Sequence, residues 1–243
     1  MHIFYLFLKK EKLPCHENDL MKLSPTLFFF GLLFLSEILI QIFGVTYLNW
    51  LIKPLIVPVL GLWYFQQTGH LKNIFVAALF FCWLGDVCLL IEQKSEWFFI
   101  AGLGSFLLAH VLLILSYRKF RGSSGEELNI PQKMRASLPV ILAGTGLITI
   151  LFPRLGGLQV PVMIYTTAVI VMVLQSFFRY GLTSTGSFWS VSFGAIAFLL
   201  SDSLLALNKF LHPIYLAGVW VMATYMAAVF LIVRGMILHP DKR

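Results

Sequence analysis

Four charged residues stand inside otherwise apolar stretches of this 243-residue chain: Glu37, Lys53, Asp86 and Asp202. A charge placed in hydrocarbon costs about 2.5–3.5 kcal/mol on insertion scales, so such residues are functional candidates by default. His110 and Tyr225 lie nearer the middle of their own apolar segments. One lysine cannot neutralise two aspartates by pairing, so at least one of Asp86 and Asp202 must keep its proton. That is the condition a general acid has to meet. Lys53 reads either as an ion-pair partner for Asp86 or Asp202, or as a catalytic or substrate contact. Glu37 shares a helix face with Gln41 and reads as a carboxylate that snorkels toward the interface or joins the functional set. His110, alone on an apolar helix, reads first as a hydrogen-bonded packing residue.

The segments that hold these groups must be membrane helices. The chain is 59% apolar and only 12% charged, with a mean hydropathy of +0.86. A soluble domain is about 45–50% apolar and about 25% charged. A cytosolic enzyme, a secreted disulfide scaffold and a disordered regulator are thereby excluded. Spans of about 20 apolar residues are expected near 25–43, 48–65, 74–91, 97–116, 137–152, 160–178, 187–207 and 214–233. The second and fifth are the weakest, one interrupted by proline and the other short. The expected fold is all-α: a polytopic membrane protein of eight transmembrane helices. The expected organisation is a polar tail over 1–24, a single domain over 25–233 and a basic tail over 234–243. Residues 117–136 read as a polar, basic loop.

The net charge of +7 is explained by where the positives fall. Numbering the connections alternately puts Lys9, Lys10, Lys12, Lys22, Lys72, Arg118, Lys119, Arg121, Lys133, Arg135, Arg179, Arg234, Lys242 and Arg243 on the side of both termini. Only Lys94, Arg154 and Lys209 fall opposite. This is the asymmetry of an even number of helices with both termini cytoplasmic. The basicity is therefore an orientation signal, and no nucleic-acid partner is expected. At about 1.5 Å per residue, Lys53, Asp86 and Asp202 all lie about 7–12 Å below the opposite surface. They imply a polar cavity between mid-membrane and that face.

An internal repeat also shows at an offset of 116. FCWLGDVCLLIE (81–92) lies over AFLLSDSLLALN (197–208), and Ala101-Gly102 lies over Ala217-Gly218. Four helices per half would be a parallel duplication, and such repeats commonly place the site at their interface. Cys15, Cys82 and Cys88 set no disulfide framework and read as free thiols, the last two buried. Phenylalanine, at 23 residues, reads as lipid-facing bulk. His2–Leu8 is too short to span and no small-residue cleavage site follows it, so residues 1–20 are expected to be a dispensable tail, with Met21 a natural start. There is no Gly-x-Ser-x-Gly elbow, no phosphate-binding glycine loop and no His-Glu-x-x-His pair, so neither metal nor cofactor is expected. Gly85-Asp86 lacks the glycine of an intramembrane aspartyl protease motif, since Trp83 stands two residues earlier. On these residues alone, a proton-coupled transporter or flippase for a lipid or small solute is the leading reading.

Ile52-Lys53-Pro54-Leu55, Gly85-Asp86-x-x-Leu89, Met222-Ala223-Thr224-Tyr225 and above all Ser201-Asp202-Ser203-Leu204-Leu205-Ala206-Leu207-Asn208-Lys209-Phe210 resemble the YhhN/TMEM86 family across residues 25–233. The resemblance implies a lysoplasmalogenase: an ether hydrolase that opens the vinyl-ether bond of a lysoplasmalogen. The products are a fatty aldehyde and a glycerophosphocholine or glycerophosphoethanolamine. It carries over Lys53, Asp86, Asp202, Asn208, Tyr225 and His110. Leu113 and Val229 depart from the family's usual tyrosine and glutamine, which implies an altered polar network around His110. Vinyl ethers hydrolyse by protonation at carbon, giving an oxocarbenium-like cation that water captures, and two carboxylates of unlike protonation would serve both steps. The expected partners are a lysophospholipid substrate and membrane lipid, with the protein a monomer or homodimer. His239-Pro240-Asp241-Lys242-Arg243 carries no dilysine or KDEL-type signal, which favours a bacterial inner membrane over the endoplasmic reticulum.

Overall fold

The computed structural model describes residues 25–69, 73–122 and 127–239. Of the tails expected over 1–24 and 234–243, residues 1–24, with Cys15, and 240–243 lie outside these residues. Lipid offers no hydrogen bonds, so each apolar segment must satisfy its own backbone, and an α-helix does so within one segment. Among the described residues, eight helices are long and apolar enough to cross a membrane. They are α1 (Pro25–Phe43), α2 (Thr46–Thr68), α3 (Asn73–Leu90), α4 (Glu96–Lys119), α5 (Ile130–Leu151), α6 (Gln159–Phe177), α7 (Thr185–Phe210) and α8 (Ala217–Ile237). The described residues contain no strand.

The two segments that read weakest in sequence are complete helices, each for a local reason. In α2, Pro58 has no N–H to donate to the Pro54 carbonyl one turn back. Trp83 of α3 fills that vacancy, its indole Nε1 donating to the Pro54 oxygen at 3.0 Å. The proline that weakens α2 thus becomes a point of attachment to α3. Helix α5 starts seven residues earlier than expected. Asn129 and Gln132 form a reciprocal capping box there, with Pro131 in the first turn, where a missing N–H costs nothing. The polar stretch expected as a loop over 117–136 is therefore half helical, and the connection shrinks to 120–129. At the other end, Pro213 and a left-handed Leu216 (φ 52°) delay α8 until Ala217.

Helices α2, α3, α4, α6, α7 and α8 close into a ring, each packed on the next and α8 on α2. Helix α1 lies outside against α2 and α8, and α5 lies outside against α6. The tightest pairing, α7 with α8, depends on glycine. A Cβ on Gly194 would stand 2.9 Å from the Ala228 carbonyl, and one on Gly235 would stand 3.0 Å from the Ser187 carbonyl. Small residues at such crossings let backbones approach closely. Phenylalanine divides between two environments, contrary to its reading as lipid-facing bulk. Phe28, Phe43, Phe65 and Phe193 face outward, but Phe75, Phe99, Phe106 and Phe198 are buried. The ring has an interior to fill, and aromatic volume fills it.

Candidate functional site

The two aspartates enter the ring from the repeated segments, on α3 and α7. The residue before each one sets how its helix packs. Gly85 has no side chain because the Phe106 ring occupies that space: a Cβ there would fall 2.6 Å from Phe106 Cε2. Ser201 instead ties α7 to α8, its hydroxyl donating to the Val221 carbonyl at 3.0 Å. A small residue before the aspartate thus serves close helix approach in both halves.

Each carboxylate receives a tyrosine hydroxyl. Tyr225 of α8 donates to Asp86 Oδ2 at 2.6 Å, and Tyr165 of α6 donates to Asp202 Oδ2 at 2.8 Å. His110 of α4 is fully buried, with Nε2 3.6 Å from the same Asp202 oxygen. The Phe106 carbonyl, one turn back, is near its ring but closes no hydrogen bond, and neither ring nitrogen has a partner among the described residues. Between the two carboxylates lies a stack of edge-to-face rings. Phe106 and Phe198 both meet Tyr225, at 5.9 and 5.5 Å, and Phe198 meets His110 at 4.7 Å. Leu113 and Val229, where the family usually has polar residues, are buried in the apolar core. The polar path along α4 therefore ends at His110.

Lys53 closes no ion pair within 4.0 Å among the described residues. It stands instead within electrostatic reach of both Asp86 and Glu37. Glu37 does not snorkel: it is wholly buried. Gln41 Nε2 donates to its Oε1 at 2.9 Å, and the Asn49 amide nitrogen of α2 donates to both carboxylate oxygens at 3.1 Å. A carboxylate whose oxygens are satisfied inside the protein has no need to reach the interface. Asn208 is engaged elsewhere, its Oδ1 accepting from the Ile214 N–H at 2.9 Å and bracing the connection between α7 and α8. Of the two thiols, Cys82 is buried and Cys88 only half-buried, and both are free.

The cavity beside these groups is not the polar space that the charges imply. It holds about 50 Å³, and its walls are chiefly Leu103, Phe106, Leu147, Val162, Val169 and Leu199, from α4 to α7. Its polar groups are Asp202, Tyr165, Thr166 and Ser203. Phe99 and Phe210 also line it, near the start of α4 and at the end of α7. Asp86 does not line it. Tyr165 is the residue that reading by sequence missed. A tyrosine in an apolar segment is unremarkable in sequence, and only the packing of α6 on α7 brings it to Asp202.

An eight-helix bundle of this length and apolarity, with a carboxyl bordering a mostly apolar cavity, has the architecture of a polytopic membrane protein. The chain belongs to the YhhN family, whose profile matches residues 48–236. Among its relatives, a Mycobacterium bovis protein named lysoplasmalogenase is 29% identical over 172 residues, covering 70% of this chain and 62% of that protein. Human lysoplasmalogenase TMEM86B is 29% identical over 179 residues, covering 74% of this chain and 70% of its own length. The chain thus aligns with less than two thirds of the mycobacterial relative. No solved structure matches it.

Proposed function

We propose that this protein is a lysoplasmalogenase in which Asp202 is the proton donor. One observation carries the reading: the side chain of Asp202 is 14% exposed and opens into an apolar cavity, while Asp86 is 2% exposed and outside it. The relatives' names give the substrate class.

A lysoplasmalogen has a single alkenyl chain, which suits a narrow slot between helices. With Tyr165 bonded to Oδ2, the proton of Asp202 sits on Oδ1 and faces the chain. It passes to the vinyl carbon remote from the ether oxygen, and the positive charge develops on the other carbon and that oxygen. The carboxylate left behind stabilises this cation and takes a proton from the water that attacks it. The hemiacetal so formed collapses to a fatty aldehyde and the free glycerol hydroxyl of the head-group fragment. Asp202 thus serves as acid and then as base, as one carboxyl does in retaining glycoside hydrolysis. Asp86 holds Tyr225, whose ring backs Phe106 in the cavity wall. Lys53 balances the carboxyls of Asp86 and Glu37, and His110 keeps the Asp202 carboxylate oriented.

The ring order supports a duplicated architecture. Adding four to each helix number turns the sequence α2, α3, α4, α6, α7, α8 into itself, so each pairing around the ring has a counterpart. The charge asymmetry supports a cytoplasmic position for both termini, and the membrane in this reading is a bacterial inner membrane.

The test is aldehyde release from a defined lysoplasmalogen by purified protein in detergent. Release without a gradient, lost in Asp202→Asn, is expected. Movement of intact substrate across liposomes with no aldehyde formed would establish the transporter reading instead.

A further inference from the structure

The charge asymmetry that orients the chain leaves three exceptions: Lys94, Arg154 and Lys209. Two of them, Lys209 and Arg154, stand beside residues that line or adjoin the cavity, and neither has a part in the chemistry above. Lys209 follows the repeated segment directly. Its Nζ lies 4.7 Å from the centre of the Phe99 ring and 3.3 Å from Glu92 Oε2. Phe99 and the neighbouring Phe210, near the start of α4 and at the end of α7, both line the cavity. Arg154 donates from Nη1 to the Leu211 carbonyl at 2.7 Å, joining the turn after α5 to the connection after α7. Its other guanidinium N–H groups are exposed and meet no acidic partner among the described residues. Beneath it, Leu151, Leu155 and Val162 pack with Leu103 and Leu147 of the cavity wall.

We infer that Lys209, Arg154 and Glu92 form the receptor for a zwitterionic phosphodiester head group. The phosphate is received by Lys209 and Arg154, and the ammonium by Glu92. The Lys209–Glu92 pair is solvent-exposed on both sides, and such pairs contribute little. A zwitterion can replace it without loss, because each partner trades one opposite charge for another. Arg154 adds what a lysine lacks, a planar fork matched to phosphate oxygens. The arrangement fits the chain as well as the head: the charged groups ring the aqueous mouth, and the slot behind them is apolar down to Asp202. The inference rests on the lysolipid reading above, and it assigns head-group anchoring to this mouth, leaving Lys53 to its internal carboxyls.

The experiment compares two substrates that differ only in the head: a 1-alkenyl glycerophosphocholine and a 1-alkenyl glycerol without phosphate. In Arg154→Gln/Lys209→Gln, KM for the phosphocholine substrate should rise about tenfold to a hundredfold with kcat within about twofold. KM for the alkenyl glycerol should not move. Glu92→Gln should raise KM for the phosphocholine substrate alone, and by less. An unchanged KM in the double variant, or an equal rise for both substrates, overturns the receptor. Calorimetric binding of saturated 1-alkyl analogues of the same two lipids repeats the comparison without chemistry. Loss of head-group preference in binding supports the receptor even if wild-type protein releases no aldehyde. Absence of aldehyde would sink the hydrolase and not the receptor.

Discussion

Asp86 and Asp202 occupy matching places in two similar segments, and the protein treats them differently. Each accepts a hydrogen bond from a tyrosine, but the rest of the surroundings diverge. Around Asp86 stand Lys53 and the closed network of Glu37, Gln41 and Asn49, all within protein. Around Asp202 stand His110, with no hydrogen-bond partner among the described residues, and an apolar cavity. One carboxyl is sealed and balanced by charge; the other borders a cavity, and no lysine or arginine among the described residues pairs with it. We propose that the repeated segment keeps one copy for structure while the other takes up chemistry, because burial and neighbours decide what a carboxyl does.

The strongest way to break this contrast is to remove each carboxyl in turn. Asp202→Asn keeps the size of the side chain and loses the transferable proton, so aldehyde release should fall about 10²–10⁴-fold. Asp86→Asn should lose less than a tenth of that factor while lowering the melting temperature. Equal losses in two well-folded variants would show that the halves are not differentiated. The tyrosines sharpen the same point. Tyr225→Phe leaves a buried carboxyl without its donor and should cost about 1–3 kcal/mol of stability, read by thermal unfolding in detergent. Tyr165→Phe should lower kcat about tenfold, since it frees the oxygen that orients the acid, with a smaller effect on unfolding.

Filling the slot probes the open half alone. Ala206→Phe puts a ring into the cavity wall, and KM for long-chain substrates should rise about tenfold with little change for short ones. The smallest effect belongs to the sealed half. Glu37→Gln exchanges one hydrogen-bonding group for another among Gln41 and Asn49, and stability should change by less than about 1 kcal/mol. A large loss there would mean that Lys53 depends on the Glu37 charge.

Eight helices, the intramembrane charges and the two aspartates were all legible in the sequence, because composition and spacing carry them. What was illegible shares one cause. The bond from Trp83 to Pro54 and the pairing of Tyr165 with Asp202 join residues 29 and 37 positions apart, and the network of Glu37 needs Asn49 from the next helix. Neither Trp83 nor Tyr165 is unusual for its own segment. The polar cavity that four charges imply became a mostly apolar one for the same reason: Glu37, Asp86 and Asp202 each found a hydrogen-bond donor within the protein, and the space beside them is walled by leucine, valine and phenylalanine.

The sequence by itself thus determined that this chain is a helical membrane protein and which of its residues the membrane makes costly. Hydrophobic length and the expense of buried charge are local properties of the chain. Which aspartate borders a cavity, and that Lys209 meets the Phe99 ring of its wall, only the tertiary structure decided. Both depend on how six helices close into a ring, and that closure sets burial and neighbour distance for residues the sequence treats alike.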